Sequence, residues 1–288
     1  IAEKTGPGLQ LVDAETSLRE LIPELARKHD AVILLCYGDE SSCLKLISAF
    51  PELSGVLAAG TSQPIPPKLI DDRTVLASTA NKGKFLARLK LSGRRHAWRL
   101  DAGEIVELSE NFADDKEQLA VLAAYKVRLK QEKLDPARTG EAPALLKGLP
   151  TEYRYAGSQA CAECHVADTA IHTASKHHHG LETLLGKGFE YDPYCLKCHT
   201  TGYGGPGGFS SIDKSGLLGG IGCESCHGPS LAHSRDAQIK TPVPAKSACI
   251  TCHDPENSPK FEYAEYGSRI QHGQEKATRR KPARRDEK

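Results

Sequence analysis

The stretch Cys161-Ala-Glu-Cys164-His165 has three counterparts in the second half of the chain. Two cysteines and a histidine recur with the same spacing at Cys195-Leu-Lys-Cys198-His199, Cys223-Glu-Ser-Cys226-His227 and Cys249-Ile-Thr-Cys252-His253. C-x-x-C-H is the attachment signature of c-type haem. The two thiols can bond to two vinyl groups at one edge of a porphyrin, and the following imidazole can bind the iron. The four motifs therefore predict four covalently bound haem c groups, with the motif histidines as proximal iron ligands.

Paired C-x-x-C motifs are also typical of four-cysteine zinc sites, which is the alternative interpretation. That alternative does not explain why a histidine follows each pair directly. Histidine accounts for 12 of the 288 residues, and four such placements by chance have odds of roughly a few in a million. The sequence favours haem over zinc.

The fold class expected for the whole chain is α+β. Residues 157–288 leave only about 33 residues for each haem, too few to bury four macrocycles inside a separate apolar core. Glycine and proline also interrupt this half repeatedly, as in Gly202-Tyr-Gly-Gly-Pro-Gly-Gly-Phe209. We therefore expect short helices and irregular chain here, with the haems themselves as the core.

The sixth ligands of the irons are expected to be histidines, because the chain contains no methionine. Eight histidines lie outside the motifs, and six of them fall in the haem half: His172, His177, His178, His179, His233 and His272. The other two, His29 and His96, are far from any motif and are expected to be structural. On a helix, the consecutive rings of His177, His178 and His179 diverge by about 100° each, so they cannot all face one iron.

Residues 155–273 resemble the tetrahaem cytochrome c-554 family. The resemblance rests on four blocks in order: Gly157–His165 with Ala174-Ser-Lys-His177, Cys195–Tyr203, Gly222–Pro229 with His233, and Ser258–Phe261 with Ile270-Gln-His272-Gly. It implies that His177, His233 and His272 are sixth ligands, and that His233 and His272 serve the irons of motifs one and four. It also implies that the iron at His199 lacks a protein sixth ligand. His172, His178 or His179 could instead be the sixth ligand of that iron.

The first half alternates between helix and strand, which is typical of α/β structure. Ser17-Leu-Arg-Glu20 has the form of a capping box, and it predicts a helix that carries Leu18, Leu21, Ile22 and Leu25 around Pro23. Further predicted elements are a strand over 31–36, a helix over 41–50, a strand over 56–59, antiparallel strands over 85–91 and 96–100, and an amphipathic helix over 114–133.

This half resembles the closing portion of a calcineurin-like metallophosphatase of the 5′-nucleotidase group. Where that family has metal-binding histidines, this chain has Tyr37, Thr61 and Gln63. Without histidines and carboxylates to hold two metals, we expect no hydrolysis of phosphate esters. The resemblance implies a degenerate domain with a scaffold or docking role. Cys36 and Cys43 are not haem sites, and the sequence leaves open whether they are buried thiols or a disulfide.

The expected organisation is a metallophosphatase-like domain over 1–112, a helix and linker over 113–156, a tetrahaem domain over 157–273 and a basic tail over 274–288. The formal net charge is +1, which offers no general attraction for nucleic acid. The longest apolar run, Ala31–Cys36, is far shorter than the roughly 20 residues of a transmembrane helix. We therefore expect neither nucleic acid as a partner nor a transmembrane segment.

Covalent haem attachment is completed outside the cytoplasmic membrane, so the sequence predicts a periplasmic or extracellular protein. The chain begins at Ile1 rather than methionine, and we expect that a signal peptide preceded it. The predicted function is electron transfer between redox protein donors and acceptors. One alternative is a redox enzyme acting on a small nitrogen or sulfur species at an open iron. A second alternative is a subunit of a homo-oligomer or filament that forms an extracellular wire.

Overall fold

The computed structural model describes residues 11–80, 82–94, 97–139, 153–243 and 245–273. The chain divides into two compact units, with the boundary between Ala113 and Asp114. The helix that the sequence assigned to a separate connecting segment is therefore grouped with the second unit. Most of the predicted linker, the basic tail and His96 lie outside the described residues.

The first unit is built on a four-stranded sheet in the order β1-β2-β4-β3. Its strands are β1 (Ile33–Cys36), β2 (Gly55–Ala58), β3 (Ile65–Ile70) and β4 (Thr74–Ser78). Strands β1, β2 and β4 are parallel, and β3 runs antiparallel to β4. The helices α1 (Ala14–Lys28) and α2 (Glu40–Ala49) alternate with the first strands, which confirms the predicted α/β pattern.

The core of this unit forms where the apolar faces of the two helices meet the sheet. Ile22 of α1, Ile47 of α2, Val56 of β2 and Leu76 of β4 are almost completely buried in one cluster. Cys43 of α2 is fully buried in the same cluster, and burial raises the pKa of its thiol to about 12. Burial of these apolar side chains between the helices and the sheet is the main stabilising contribution in this unit.

The predicted start of the first helix was wrong. Asp13, not Ser17, is the N-cap, and its carboxylate accepts the backbone N–H of Thr16 at 3.0 Å. Ser17 instead lies inside the first turn, where its hydroxyl donates to the carbonyl of Asp13. An aspartate one turn earlier satisfies the free N–H groups of the helix end, so the helix begins before the Ser-Leu-Arg-Glu box.

A long hairpin follows the sheet, formed by β5 (Phe85–Arg94) and β6 (Ala97–Glu107). It confirms the predicted antiparallel strands. The indole N–H of Trp98 donates to the carbonyl of Asp30 at 3.2 Å. Gly103 allows β6 to approach β3 closely, because a Cβ there would lie 2.6 Å from the Pro67 side chain. These two contacts fix the hairpin against the rest of the first unit.

The second unit begins with α3 (Lys116–Glu132), the long helix that the sequence predicted. The carboxylate of Asp115 caps this helix by accepting the N–H groups of Glu117 and Gln118. Later contacts join α3 to the haem half, since the hydroxyl of Tyr125 donates to Asp192 at 3.1 Å. The helix is thus part of the unit that carries the four motifs.

Beyond α3, the described part of the second unit consists of short helices and turns, as predicted. The helices are α4 (Pro136–Thr139), α5 (Ser158–Ala162), α6 (Val166–Thr173), α7 (Gly180–Leu185), α8 (Pro193–His199), α9 (Cys223–His227), α10 (Leu231–Arg235), α11 (Ala245–Ala248) and α12 (Tyr263–Tyr266). Turns of 3₁₀ helix occur at Gly216–Leu218, Cys249–Thr251 and Gly267–Ile270. Among the described residues, no helix has both the length and the apolar character required to cross a membrane.

Candidate haem-binding sites

Each motif occupies a single helical turn, which directs its two cysteines to the same side. Motif one lies on α5 and the turn that follows, motif two on α8, motif three on α9 and motif four on the 3₁₀ turn Cys249–Thr251. In motif one, the carbonyl of Cys161 accepts the N–H groups of Cys164 and His165 at 3.2 and 2.9 Å. Side chains three residues apart on such a turn share a face, as two thioether bonds to one porphyrin edge require.

Three of the four motif histidines lie beside a histidine from another part of the unit. The ring centres are 6.2 Å apart for His165 and His233, 6.0 Å for His253 and His177, and 5.9 Å for His227 and His272. Two imidazoles that bind one metal from opposite sides, through bonds of about 2 Å, have ring centres about 6 Å apart. All three spacings therefore fit an iron held between two imidazoles.

The pairing differs in one respect from the arrangement that the family resemblance implied. His233 lies beside the histidine of motif one, as expected. His272 lies beside His227 of motif three rather than beside motif four, and His177 takes the place beside His253. The segment that carries His272 is joined to α6 by its neighbour Gly273, whose N–H donates to the carboxylate of Asp168 at 2.8 Å.

Hydrogen bonds at Nδ1 orient several of these rings so that Nε2 is available. In three of them Nδ1 donates to a backbone carbonyl: His233 to Ile239 at 2.6 Å, His272 to Ile270 at 2.8 Å and His199 to Gly180 at 2.8 Å. A carbonyl oxygen can only accept, so Nδ1 carries the hydrogen and Nε2 keeps its lone pair. This is the usual state of a metal-binding histidine.

Two further motif histidines have a side-chain partner at Nδ1. In His253 this nitrogen lies 2.9 Å from the hydroxyl of Ser258, and in His165 it lies 3.2 Å from a carboxylate oxygen of Asp168. Burial lowers the pKa of His177, His227 and His253 below the ordinary histidine value. Because the neutral imidazole is the metal-binding form, burial and hydrogen bonding favour the same state.

The remaining three histidines of this half do not pair with a motif histidine. Nε2 of His172 lies 2.8 Å from the carbonyl of Ile221 and therefore carries the hydrogen, whereas its buried Nδ1 has no hydrogen-bond partner among the residues that the structure describes. The ring of His178 packs edge-on against His172 and His179, and Nδ1 of His179 faces Glu182 at 3.0 Å. Within the described residues, His199 consequently has no paired histidine ring.

Two of the histidine pairs share one cavity. It has a volume of about 610 Å³, and its walls include Cys161, His165, Cys223, His227, His233 and His272. A volume of this size is within the usual range for a cofactor pocket. The first and third motifs thus lie next to each other in space, although 62 positions separate His165 from His227 in the sequence.

A buried glutamate that the sequence analysis did not select joins these two motifs. Glu224, the first residue between the cysteines of motif three, is only 3% exposed. Its carboxylate accepts the N–H groups of Ala156, Gly157 and Ser230 at 2.8, 2.8 and 2.7 Å. Burial raises the pKa of this carboxyl, and the three N–H donors oppose that rise. The C-x-x-C-H pattern treats this position as variable, so it gave no signal for the contact.

We predict that Glu224→Ala destabilises the second unit by at least about 2 kcal/mol, because three buried N–H groups lose a charged acceptor. Thermal or urea unfolding followed by circular dichroism measures the change. Glu163→Ala is the matched control, since Glu163 lies in motif one and is exposed. It should change the free energy of unfolding by less than about 0.5 kcal/mol. Equal losses in both variants would contradict the structural role of Glu224.

Comparison with known proteins places the strongest similarity on the motif region. Residues 160–228, which include motifs one to three, match the family model described as cytochrome c554 and c-prime. An alignment 98 positions long with cytochrome c-554 of Nitrosomonas europaea shows 29% identity, and it covers 29% of this chain and 42% of that protein's length. No solved structure matches the chain significantly. The C-terminal region is therefore similar to the cytochrome c554 and c-prime family, which supports a multihaem c-type cytochrome with a role in electron transfer.

Proposed function

We propose that the second unit binds four haem c groups and relays electrons between redox proteins outside the cytoplasmic membrane. The observation that carries the proposal is the spacing of the three histidine pairs, 5.9 to 6.2 Å between ring centres. Each pair joins one motif histidine to one histidine from elsewhere. In this proposal His177 is the sixth ligand of the iron at motif four, His233 of the iron at motif one and His272 of the iron at motif three.

The small apolar core of the second unit supports a structural role for the haems. Its buried cluster consists of Leu184, Leu196, Tyr203 and Phe209. These side chains surround motif two, and the first and third motifs instead line the 610 Å³ cavity. A unit of this size ordinarily needs a larger core for stability. Porphyrin faces packed between the histidine pairs would supply the apolar contact that the side chains do not.

The ligand sets favour electron transfer over catalysis at three of the irons. Bound haem supplies an iron that changes between the ferric and ferrous states. With haem bound, both histidines of a pair would hold the iron, which would leave no coordination position for a substrate. Carbonyl partners at Nδ1 of His233 and His272 hold these rings in one orientation, so the ligands need not rearrange when the oxidation state changes.

For the first unit we propose a scaffold or docking role. Tyr37, which replaces a metal-binding histidine of the resembled family, is 79% exposed at the end of β1. The hydroxyl of Thr61 forms a 2.6 Å hydrogen bond with Ser78, and the amide of Gln63 donates to the carbonyl of Ser62. These contacts occupy the two side chains within the protein itself, which supports a role other than holding metal ions.

We predict that the mature protein carries four covalent haems, because all four motifs are intact. Intact-protein mass spectrometry, after expression in a host that matures c-type cytochromes, should show a mass excess equal to four haems. Replacing both cysteines of motif four by serine should reduce the excess to three. A smaller excess in the unmodified protein, or stoichiometric zinc, would contradict the proposal.

Replacement of a sixth ligand should change one iron only. We predict that His177→Ala, His233→Ala and His272→Ala each convert one haem from low-spin to high-spin, a change that electron paramagnetic resonance detects. The mass should still show four haems, since the attachment cysteines are untouched. His179→Ala is the control, because His179 pairs with no motif histidine, and it should leave the spectrum unchanged. A variant with an unaltered spectrum would remove that histidine from the ligand set.

A second candidate function is redox chemistry at the iron of motif two. The observation that favours it is that no described histidine ring pairs with His199, in contrast to the other three motif histidines. An iron that His199 alone would hold could bind a small nitrogen or sulfur species and supply redox chemistry to it.

We therefore predict one high-spin iron in the resting ferric protein and one molecule of nitric oxide bound per reduced protein. Titration followed by paramagnetic resonance measures both quantities. Four low-spin irons with no high-spin signal would contradict an open site. Alanine replacements of His172, His178 and His179 would then identify the residue that closes it.

A further inference from the structure

The motif-one histidine differs from others in what its Nδ1 contacts. His165 places this nitrogen 3.2 Å from a carboxylate oxygen of Asp168. In contrast, Nδ1 of His199 faces a backbone carbonyl, and that of His253 faces the hydroxyl of Ser258. The partner at motif one is thus an anionic group, whereas those at motifs two and four are neutral.

Asp168 is held in place by a second contact. It lies in the first turn of α6, three residues after His165, and its side chain is 19% exposed. Its other carboxylate oxygen accepts the N–H of Gly273 at 2.8 Å, and Gly273 directly follows His272. One carboxylate therefore contacts the proximal histidine of motif one and the segment that carries the sixth ligand proposed for motif three.

A carboxylate at Nδ1 changes how strongly an imidazole donates electrons to a metal. It draws the Nδ1 hydrogen towards itself, which makes Nε2 a more basic ligand. It also places a negative charge near the iron. Both effects stabilise the ferric state relative to the ferrous state and so lower the reduction potential. Partial burial of Asp168 limits the screening of this charge by solvent.

We propose that Asp168 is a positioning residue that lowers the reduction potential of the first haem and anchors the loop of His272 at the third. This inference rests on the proposed function, because it requires haem at motif one. It adds an effect on one site, since the carboxylate makes the first haem a weaker electron acceptor than it would be with a neutral partner.

The chain offers a closely matched control in the pair His179 and Glu182. Here too a histidine precedes a short helix, and a carboxylate in the first helical turn lies near its Nδ1, at 3.0 Å. This histidine pairs with no motif histidine, and the Glu182 side chain is 69% exposed. A general effect of removing one negative charge near a helix start should therefore shift the potentials in both variants, whereas an effect on a ligand should occur only at Asp168.

The test compares Asp168→Asn, Asp168→Glu and Glu182→Gln in the haem-loaded full chain by potentiometric titration with optical and paramagnetic detection. For Asp168→Asn we expect one midpoint to rise, so that the ratio of reduced to oxidised haem at a fixed potential changes about tenfold, or 59 mV for one electron. The haem that shifts should be the one that His233→Ala converts to high-spin. In Asp168→Glu, which keeps the charge, and in Glu182→Gln, the ratio of reduced to oxidised haem at that potential should stay within about twofold of the ratio in the unmodified protein.

Three results would overturn the inference: unchanged midpoints in Asp168→Asn, an equal rise in Asp168→Glu, or an equal shift in Glu182→Gln. Mass spectrometry of the same samples separates this inference from the function on which it rests. If motif one of the unmodified protein carried no haem, both the role of Asp168 and the proposed function would be refuted. Four haems with unchanged midpoints would refute the role of Asp168 and leave the proposed electron transfer standing.

Discussion

A neutral imidazole binds a metal through the ring nitrogen that carries no hydrogen, and the second unit depends on how the other nitrogen is held. Carbonyls of Gly180, Ile239 and Ile270 accept the Nδ1 hydrogen of a nearby histidine. Regular helices and strands use their own carbonyls internally, so free carbonyls of this kind come from loops and helix ends. The short helices and frequent turns of this unit therefore supply hydrogen-bond acceptors where the histidines need them.

The two units of the chain are stabilised by different kinds of contact. The first buries a continuous apolar cluster between α1, α2 and the sheet. The buried apolar cluster described in the second unit is smaller, with four members, and polar contacts such as those of Glu224 fix the loops of this unit. Loss of one buried polar partner is costly because the remaining groups cannot regain water. The stability of the second unit should therefore depend on a small number of specific hydrogen bonds.

Local sequence patterns were sufficient to predict features that depend on local chemistry. The C-x-x-C-H motifs, the helix over 116–132 and the β5–β6 hairpin follow from spacing alone. Strand β3 was not predicted, because Pro66 and Pro67 argue against a strand, yet it pairs along one side only as an edge strand. Glu224 and the position of His272 depend on contacts between residues 67 and 105 positions apart, which a single sequence does not display.

The contacts of Glu224 also bear on how the chain folds as it is made. Its carboxylate joins backbone groups 67 and 68 positions earlier, at the entrance to motif one. Synthesis proceeds from the N-terminus, and a contact of this length closes late because the intervening chain must first be ordered. Motif one is therefore complete well before the carboxylate that fixes its flank has been added. Until this contact closes, the backbone N–H groups of Ala156 and Gly157 beside motif one lack the buried acceptor that they have in the folded unit.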